Sequence, residues 1–477
     1  MLARLLDTIL TRQGARRTIL VGTSGDTGSA ACEALAGRAS LDLVVLYPGQ
    51  GRISPVQELQ MSRCSGTSVR GEHYGNVICV AVDGTSDDLD VAIEGNLKDA
   101  GVRDKYQLGS VNSVNIARVL MQVVGYFYAY VNYDGEDGGR EASAVAAAAP
   151  AAAAAAVHPW EQDLEPGEIC FFVPTGAAGH CCAGSMARLM GLPCRIVAAT
   201  NSNGAAMAAL LRDGRFAQGP FYQTLAPAMD IQVPYNVERI LCLLRRVRAD
   251  GLRSTVGALM EELRAVGTLA VAPDDGAAFR SIGLYACDPL DDTGILATIR
   301  EYYGTTGLAL CPHSAVGLRA ALDSNGGHVT RAVVIGCASA AKFPDIVSAG
   351  ITDLVPPCSS AVSPASPAPS LSSVSSMPYT DRRTMLARLC QREENAHTTA
   401  LIDAVLDMPA KGGGGDAGSS GGGGGSDWTC PPNVPEFRLA DKAQWTLMLT
   451  ALLEERAQAY AQAQAQAQAV RSRVSGL

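Results

Sequence analysis

The 477-residue sequence is short of lysine, of charge and of aromatic rings. Lysine occurs only at Lys98, Lys105, Lys342, Lys411 and Lys442, and charged residues make up 18% and aromatic residues 5% of the chain. Chemistry that needs a lysine amine has few places to find one. The 38 Lys and Arg against 47 Asp and Glu leave a net charge of −9, a balance that offers no electrostatic footprint for nucleic acid. No run reaches the roughly 18–20 apolar residues of a membrane-spanning helix; the alanine tract near 145–156 is shorter and only weakly hydrophobic. Neither a nucleic acid nor a membrane is expected as a partner. The 14 cysteines form no C-x-x-C pair and no Cys/His array at zinc spacing, so no metal site is expected. They are expected to be reduced thiols of an intracellular protein, in cytoplasm or plastid, with the adjacent Cys181 and Cys182 packed in a core.

What is present is apolar material in a strand-and-helix rhythm. At 47% hydrophobic residues, the chain can bury the cores of two or more domains. Leucine or isoleucine at 2, 5, 6, 9 and 10 marks one face of a helix within residues 1–17. An Arg-rich presequence shares that pattern, but the segment runs directly into a strand, which fits a domain helix. Thr18 to Val21, Leu41 to Tyr47 and Val77 to Val82 read as buried strands separated by helical stretches, the signature of a parallel sheet with crossover helices. A small α/β domain is expected over 18–110.

A larger domain is expected over 111–133 and 158–355. It begins with an amphipathic helix from Val114 through Tyr130 that places Val119, Leu120, Val123, Val124, Phe127 and Tyr128 on its apolar side, and it continues with strands at 195–200, 269–271 and 332–335. Residues 134–157 are a low-complexity insertion, 356–380 a Ser/Pro linker, 381–411 a helical region, 412–426 a Gly/Ser linker and 427–477 a helical tail.

Two glycine-rich turns, Gly22 to Ser29 and Pro174 to Gly184, each join a strand to a helix. Backbone N–H groups converge at such a turn and the helix dipole adds partial positive charge, so the turn can hold an anion. It can also serve only to pack strand against helix. The first, G-T-S-G-D-T-G, is neither the dinucleotide pattern nor a P-loop. The second, T-G-A-A-G-H, suits a single phosphate. Further on, V-N-S-V-N-I-A-R puts Asn115 and Arg118 on one helix face with Ser113 at the cap, and an arginine fork matches a phosphate.

Eight ordered motifs then carry a family resemblance: TSGDTGSAA, LYPGQGRISPVQELQM, VNSVNIARVLMQ, VPTGAAGH with AGSMARLMGLP, ATNSN, MDIQVPYNVERIL, CPHSAVG and AAKFPD. Over residues 1–355 the chain resembles threonine synthase and the threonine synthase-like phospho-lyases, pyridoxal-phosphate enzymes of the tryptophan-synthase β fold. The resemblance implies an α/β protein of two domains with parallel sheets flanked by helices. It also implies pyridoxal 5'-phosphate as cofactor, a small phosphorylated amino acid as partner, and conversion of O-phosphohomoserine to threonine plus phosphate.

Several site residues follow from the resemblance. Thr175, Gly176, Ala177, Ala178, Gly179 and His180 would grip the cofactor phosphate. Thr23, Ser24, Gly25 and Thr27 would face the substrate carboxylate, and Asp26 the pyridine 3-oxygen, the alternative being that this acid only caps the helix. Arg52, Ser54, Ser113, Asn115, Arg118 and Lys342 would contribute to the substrate phosphate site, and Cys337 or Ser339 would stand near the pyridine nitrogen.

The pattern also departs from the family. The Schiff-base lysine lies in family members on a G-P-T-x-x-F-K-D segment before the helix that leads into TSGDTG. This sequence begins at that helix, so a chain truncated at its N-terminus, with the first part of the large domain missing, is expected and no catalytic residue is assigned. His180 replaces the family's Asn or Asp, and Cys337 a hydroxyl residue. The alternatives are a catalytically silent homologue that holds the same ligands, and a dehydratase or cysteine-synthase-like activity, against which the phosphate-binding helix argues.

Overall fold

The computed structural model describes residues 2–23, 25–49, 52–64, 66–67, 73–84, 86–112, 115–133, 157–248, 252, 254–271, 276–324, 331–351, 436–437, 453–454 and 458. Both expected linkers, the region 381–411 and most of the insertion and tail lie outside them. The chain divides into two compact units, residues 1–112 with 425–477, and residues 113–424.

The first unit runs α1 (Leu2–Gln13), β1 (Arg17–Gly22), α2 (Asp26–Leu35), β2 (Leu41–Pro48), α3 (Pro55–Cys64), β3 (Gly66–Thr67), β4 (His73–Tyr74), β5 (Val77–Val82), α4 (Ser86–Lys98), α5 (Ala100–Lys105) and β6 (Leu108–Ser110). Its parallel sheet has the order Glu436–Phe437, β5, β2, β1, β6. Every residue of β2 is buried. A strand covered on both faces is written as a continuous apolar run, and its one acid, Asp42, receives the Arg16 Nε at 2.6 Å. Each fully buried leucine or valine there contributes roughly 1.5–3 kcal/mol. The two-residue strand Glu436–Phe437 falls in the tail that the sequence pattern reads as helical; at that position it satisfies backbone groups along the edge of β5.

The second unit runs α6 (Ile116–Val131), β7 (Ile169–Pro174), α7 (Gly179–Leu189), β8 (Cys194–Ala199), α8 (Ala205–Asp213), β9 (Arg215–Ala217), α9 (Val237–Val247), α10 (Val256–Val266), β10 (Thr268–Ala270), α11 (Gly276–Arg280), β11 (Leu284–Ala286), α12 (Asp292–Thr306), α13 (Pro312–Asp323), β12 (Ala332–Val334) and α14 (Pro344–Ile351). Four strands form a parallel sheet in the order β11, β8, β7, β12, while β9 and β10 pair antiparallel. On β7, Phe171 and Phe172 enter separate cores on opposite faces, as the strand repeat demands.

The fold is α/β with parallel sheets flanked by helices. One detail of the sequence reading is corrected. On α6 the buried side chains are Val119, Val123 and Tyr126, whereas Leu120, Val124 and Tyr128 are 49%, 62% and 70% exposed. A helix apolar nearly all round carries no phase to say which stripe meets the sheet.

Candidate functional site

The turn between β7 and α7 is an open cradle. Thr175 N donates to Ala199 O at 2.7 Å and Cys182 N to Ala178 O at 3.0 Å, while the amides of Gly176, Ala177, Ala178, Gly179 and His180 between them have no acceptor among the described residues. These donors lie at the positive end of the α7 dipole. The Ala177 carbonyl is turned the other way, accepting from Asn236 N at 3.3 Å and Asn236 Nδ2 at 2.9 Å. Gly176 is held close to a neighbouring segment: a Cβ there would lie 3.0 Å from both Ala228 O and Met229 Cα. The Thr175 hydroxyl is buried and turned inward, donating to Val173 O at 2.6 Å, so both its donors are engaged within the fold.

The start of α6 belongs to the same unit. Burial lowers the pKa of Arg118. Burial first, and then the charge of Arg118, push that of His180 down to about 4. The His180 backbone oxygen accepts from Tyr126 Oη at 2.9 Å. Asn115 is the helix cap, its Oδ1 accepting from Ala117 N at 2.9 Å. This corrects the expectation that Ser113 caps the helix: Asn115 has extended backbone and the helix begins at Ile116, so the capping oxygen comes from Asn115. Ser113 itself lies outside the described residues.

The segment that packs under Gly176 is fastened by residues for which the sequence suggested no role. Ala228 N donates to His313 Nε2 at 3.0 Å, which fixes that imidazole nitrogen as an acceptor. Asp230 is buried, and its Oδ1 accepts from Asn201 Nδ2 and Asn203 Nδ2, each at 2.7 Å, while Oδ2 accepts from Thr224 N at 3.0 Å. Burial raises the pKa of Asp230 against the lowering effect of those donors. The motifs ATNSN, MDIQVPYNVERIL and CPHSAVG contain Asn201, Asn203, Asp230 and His313, but their convergence depends on the tertiary fold. Cys337 N donates to Ser314 Oγ at 3.0 Å, its side chain being exposed. Ser339 Oγ accepts from Ala341 N at 3.2 Å, and Lys342 is half-buried in the turn that follows.

In the first unit, the turn after β1 is partly filled by its own side chain. Thr23 Oγ1 accepts from Gly25 N and Gly28 N, each at 2.9 Å, which occupies two amides that an anion would need. Asp26 is the first residue of α2 and does not cap it; its Oδ1 accepts from Gln57 Nε2 at 3.0 Å. Thr27 is half-buried in the same helical turn, and Ser24 lies outside the described residues. Arg52 donates to Gly84 O at 2.7 Å and pairs with Asp83 at 3.4 Å. Ser54 Oγ accepts from Gln57 N at 3.2 Å.

Fold and loop together define an α/β protein with a turn of unengaged backbone amides at the carboxyl edge of a parallel sheet. No family model matches the chain. It is 37% identical over 356 residues to threonine synthase-like 2 of Xenopus laevis, an alignment covering 74% of this chain and 66% of that protein. It is 32% identical over 353 residues to threonine synthase of Pseudomonas aeruginosa, again covering 74% and 66%. The solved structure of PLP-bound threonine synthase from Brucella melitensis is similar with a TM-score of 0.56 at 33% identity, covering 73% of this chain and 66% of that one. The chain belongs to the threonine synthase and threonine synthase-like family, and it spans 66% of the length of these relatives.

Proposed function

We propose that the chain binds pyridoxal 5'-phosphate by its phosphate at Gly176–His180 and serves the conversion of O-phosphohomoserine to threonine and phosphate. The observation that carries this is the row of five amides, 176–180, with no acceptor among the described residues. The residues fit the group: a side chain at Gly176 would press on Ala228 O and Met229 Cα at 3.0 Å, and main-chain donors at a helix start suit a phosphate dianion. When bound, the cofactor supplies an electron sink for charge developing on the substrate carbon.

The chain's own residues bind and orient. Arg118, desolvated beside His180, offers a charged fork to the substrate phosphate, with Asn115 holding the helix start that carries it. Cys337 and Ser339 are the candidates for the ring nitrogen.

A second reading, holding of both ligands without turnover, is favoured by the lysines. Lys98 and Lys105, two of the five lysines, are paired with Glu94 and Glu454. Titration with pyridoxal phosphate, followed by absorbance, is expected to saturate and to be competed by inorganic phosphate; failure to saturate overturns both readings. Borohydride reduction with mass spectrometry and a phosphate-release assay then separate them. A reduced lysine adduct with phosphate release supports turnover, and saturable binding with neither supports holding.

A further inference from the structure

We propose that Asn236 is a positioning residue of the phosphate loop, holding the Ala177–Ala178 peptide in the orientation that presents an amide, and not a carbonyl, to the anion. The inference rests on the reading of Gly176–His180 as a phosphate site. Asn236 is fully buried at the start of α9. Its Nδ2 and backbone N both bond Ala177 O, and its Oδ1 accepts from Arg239 Nη1 at 2.6 Å. Because the guanidinium can only donate, the Arg239 bond determines which end of the Asn236 amide faces Ala177.

A trans peptide points its C=O and the following N–H in opposite directions, and no described peptide bond is cis. Pulling the Ala177 oxygen toward Asn236 therefore aims the Ala178 N–H away from it. This orientation carries a conformational cost. Ala178 has φ 56° and ψ 20°, a left-handed conformation that a side chain disfavours. Turning the Ala177–Ala178 peptide by half a revolution would bring the Ala178 φ to about −120°, an ordinary value for alanine. The same turn would replace the N–H with a carbonyl oxygen, whose negative end repels a phosphate. Left to itself the loop relaxes toward repulsion, and the two bonds from Asn236 oppose that flip.

The test is affinity for pyridoxal phosphate and for inorganic phosphate in the unaltered chain, Asn236→Ala, Ala178→Gly and the double variant, with thermal unfolding of each. Asn236→Ala is expected to weaken both ligands about tenfold. Ala178→Gly alone should change affinity less than threefold. The double variant should regain most of the loss, because glycine bears φ 56° without strain and removes the drive to flip.

A merely structural role for Asn236 predicts no such rescue. Full affinity in Asn236→Ala, or a loss that Ala178→Gly leaves in place, overturns the proposal while the phosphate site stands. If the unaltered chain takes up neither ligand, the reading of the loop falls first and the role of Asn236 with it. Should Asn236→Ala fail to fold, Arg239→Ala, which releases the Asn236 amide to rotate, is expected to give a smaller loss that Ala178→Gly again rescues; no loss, or no rescue, overturns the proposal.

Discussion

Arg118 lies near enough to His180 for its charge to act on the imidazole, and with burial it brings the His180 pKa down to about 4 from 6.5. The His180 Nδ1 is buried with no hydrogen-bond partner among the described residues. At neutral pH the residue that replaces the family's Asn or Asp is therefore uncharged, and the fixed positive charge beside the cradle belongs to Arg118. An uncharged imidazole in this position interferes little with backbone donors, so the proposed phosphate site tolerates the altered side chain.

This makes His180 a source of pH-dependent stability. Between pH 4 and 6.5 the unfolded chain binds a proton at His180 that the folded chain does not, so stability rises with pH through that window and is lost as pH falls through it. His180→Asn is expected to flatten the profile by on the order of 2–3 kcal/mol across the window. Urea titrations at pH 4.5 and 7 measure it. Parallel profiles for the two proteins would show that the imidazole is solvated.

Gly176→Ala tests the seat of the cradle. The added Cβ would meet Ala228 O and Met229 Cα at 3.0 Å, main-chain atoms held in place through His313 and Asp230, so the loop must shift instead. Overpacking of this kind costs about 1–3 kcal/mol, and pyridoxal-phosphate affinity is expected to fall more than tenfold. Thermal melts beside a cofactor titration read both effects.

Thr23→Val examines the other turn. Removing the hydroxyl leaves the Gly25 and Gly28 amides without the acceptor each has at 2.9 Å, at a cost of roughly 2 kcal/mol. Thr23→Ser keeps the oxygen and is expected to lose less than about 1 kcal/mol. Equal losses in urea denaturation would mean that the methyl group, not the oxygen, matters.

The two turns also show how far residues alone can be read. β1 and β7 were legible because strands buried on both faces are continuous apolar runs, and the glycines after them announced the turns. Which turn is open was not legible. Thr23 fills its own loop through a side-chain conformation that spacing does not encode, and Asn236 reaches Ala177 across 59 residues. The same holds for Asp26, whose acid in the middle of a glycine-rich turn is engaged by Gln57, a partner on the next helix.

Glu168 provides the last test, at the opposite end of β7 from the cradle. It accepts from Arg188 Nη1 at 2.5 Å and Arg195 Nε at 3.0 Å, and Arg195 also donates to the carbonyls of Trp160, Gln162 and Asp163. Burial would raise the Glu168 carboxyl, but the hydrogen bonds from the two arginines and from Glu165 N bring it below its ordinary value. Glu168→Gln leaves Arg195 buried without a counter-charge and is expected to cost about 3 kcal/mol at pH 7. A carboxyl with a depressed folded pKa contributes stability that is present above the ordinary carboxylate value and lost as pH falls through its folded value. The gap between the two proteins should therefore narrow at pH 3, while pyridoxal-phosphate affinity at pH 7 stays within twofold, because the phosphate loop lies at the other end of the strand. A gap in urea midpoints that is as wide at pH 3 as at pH 7 would assign the loss to packing and not to the charge of Glu168.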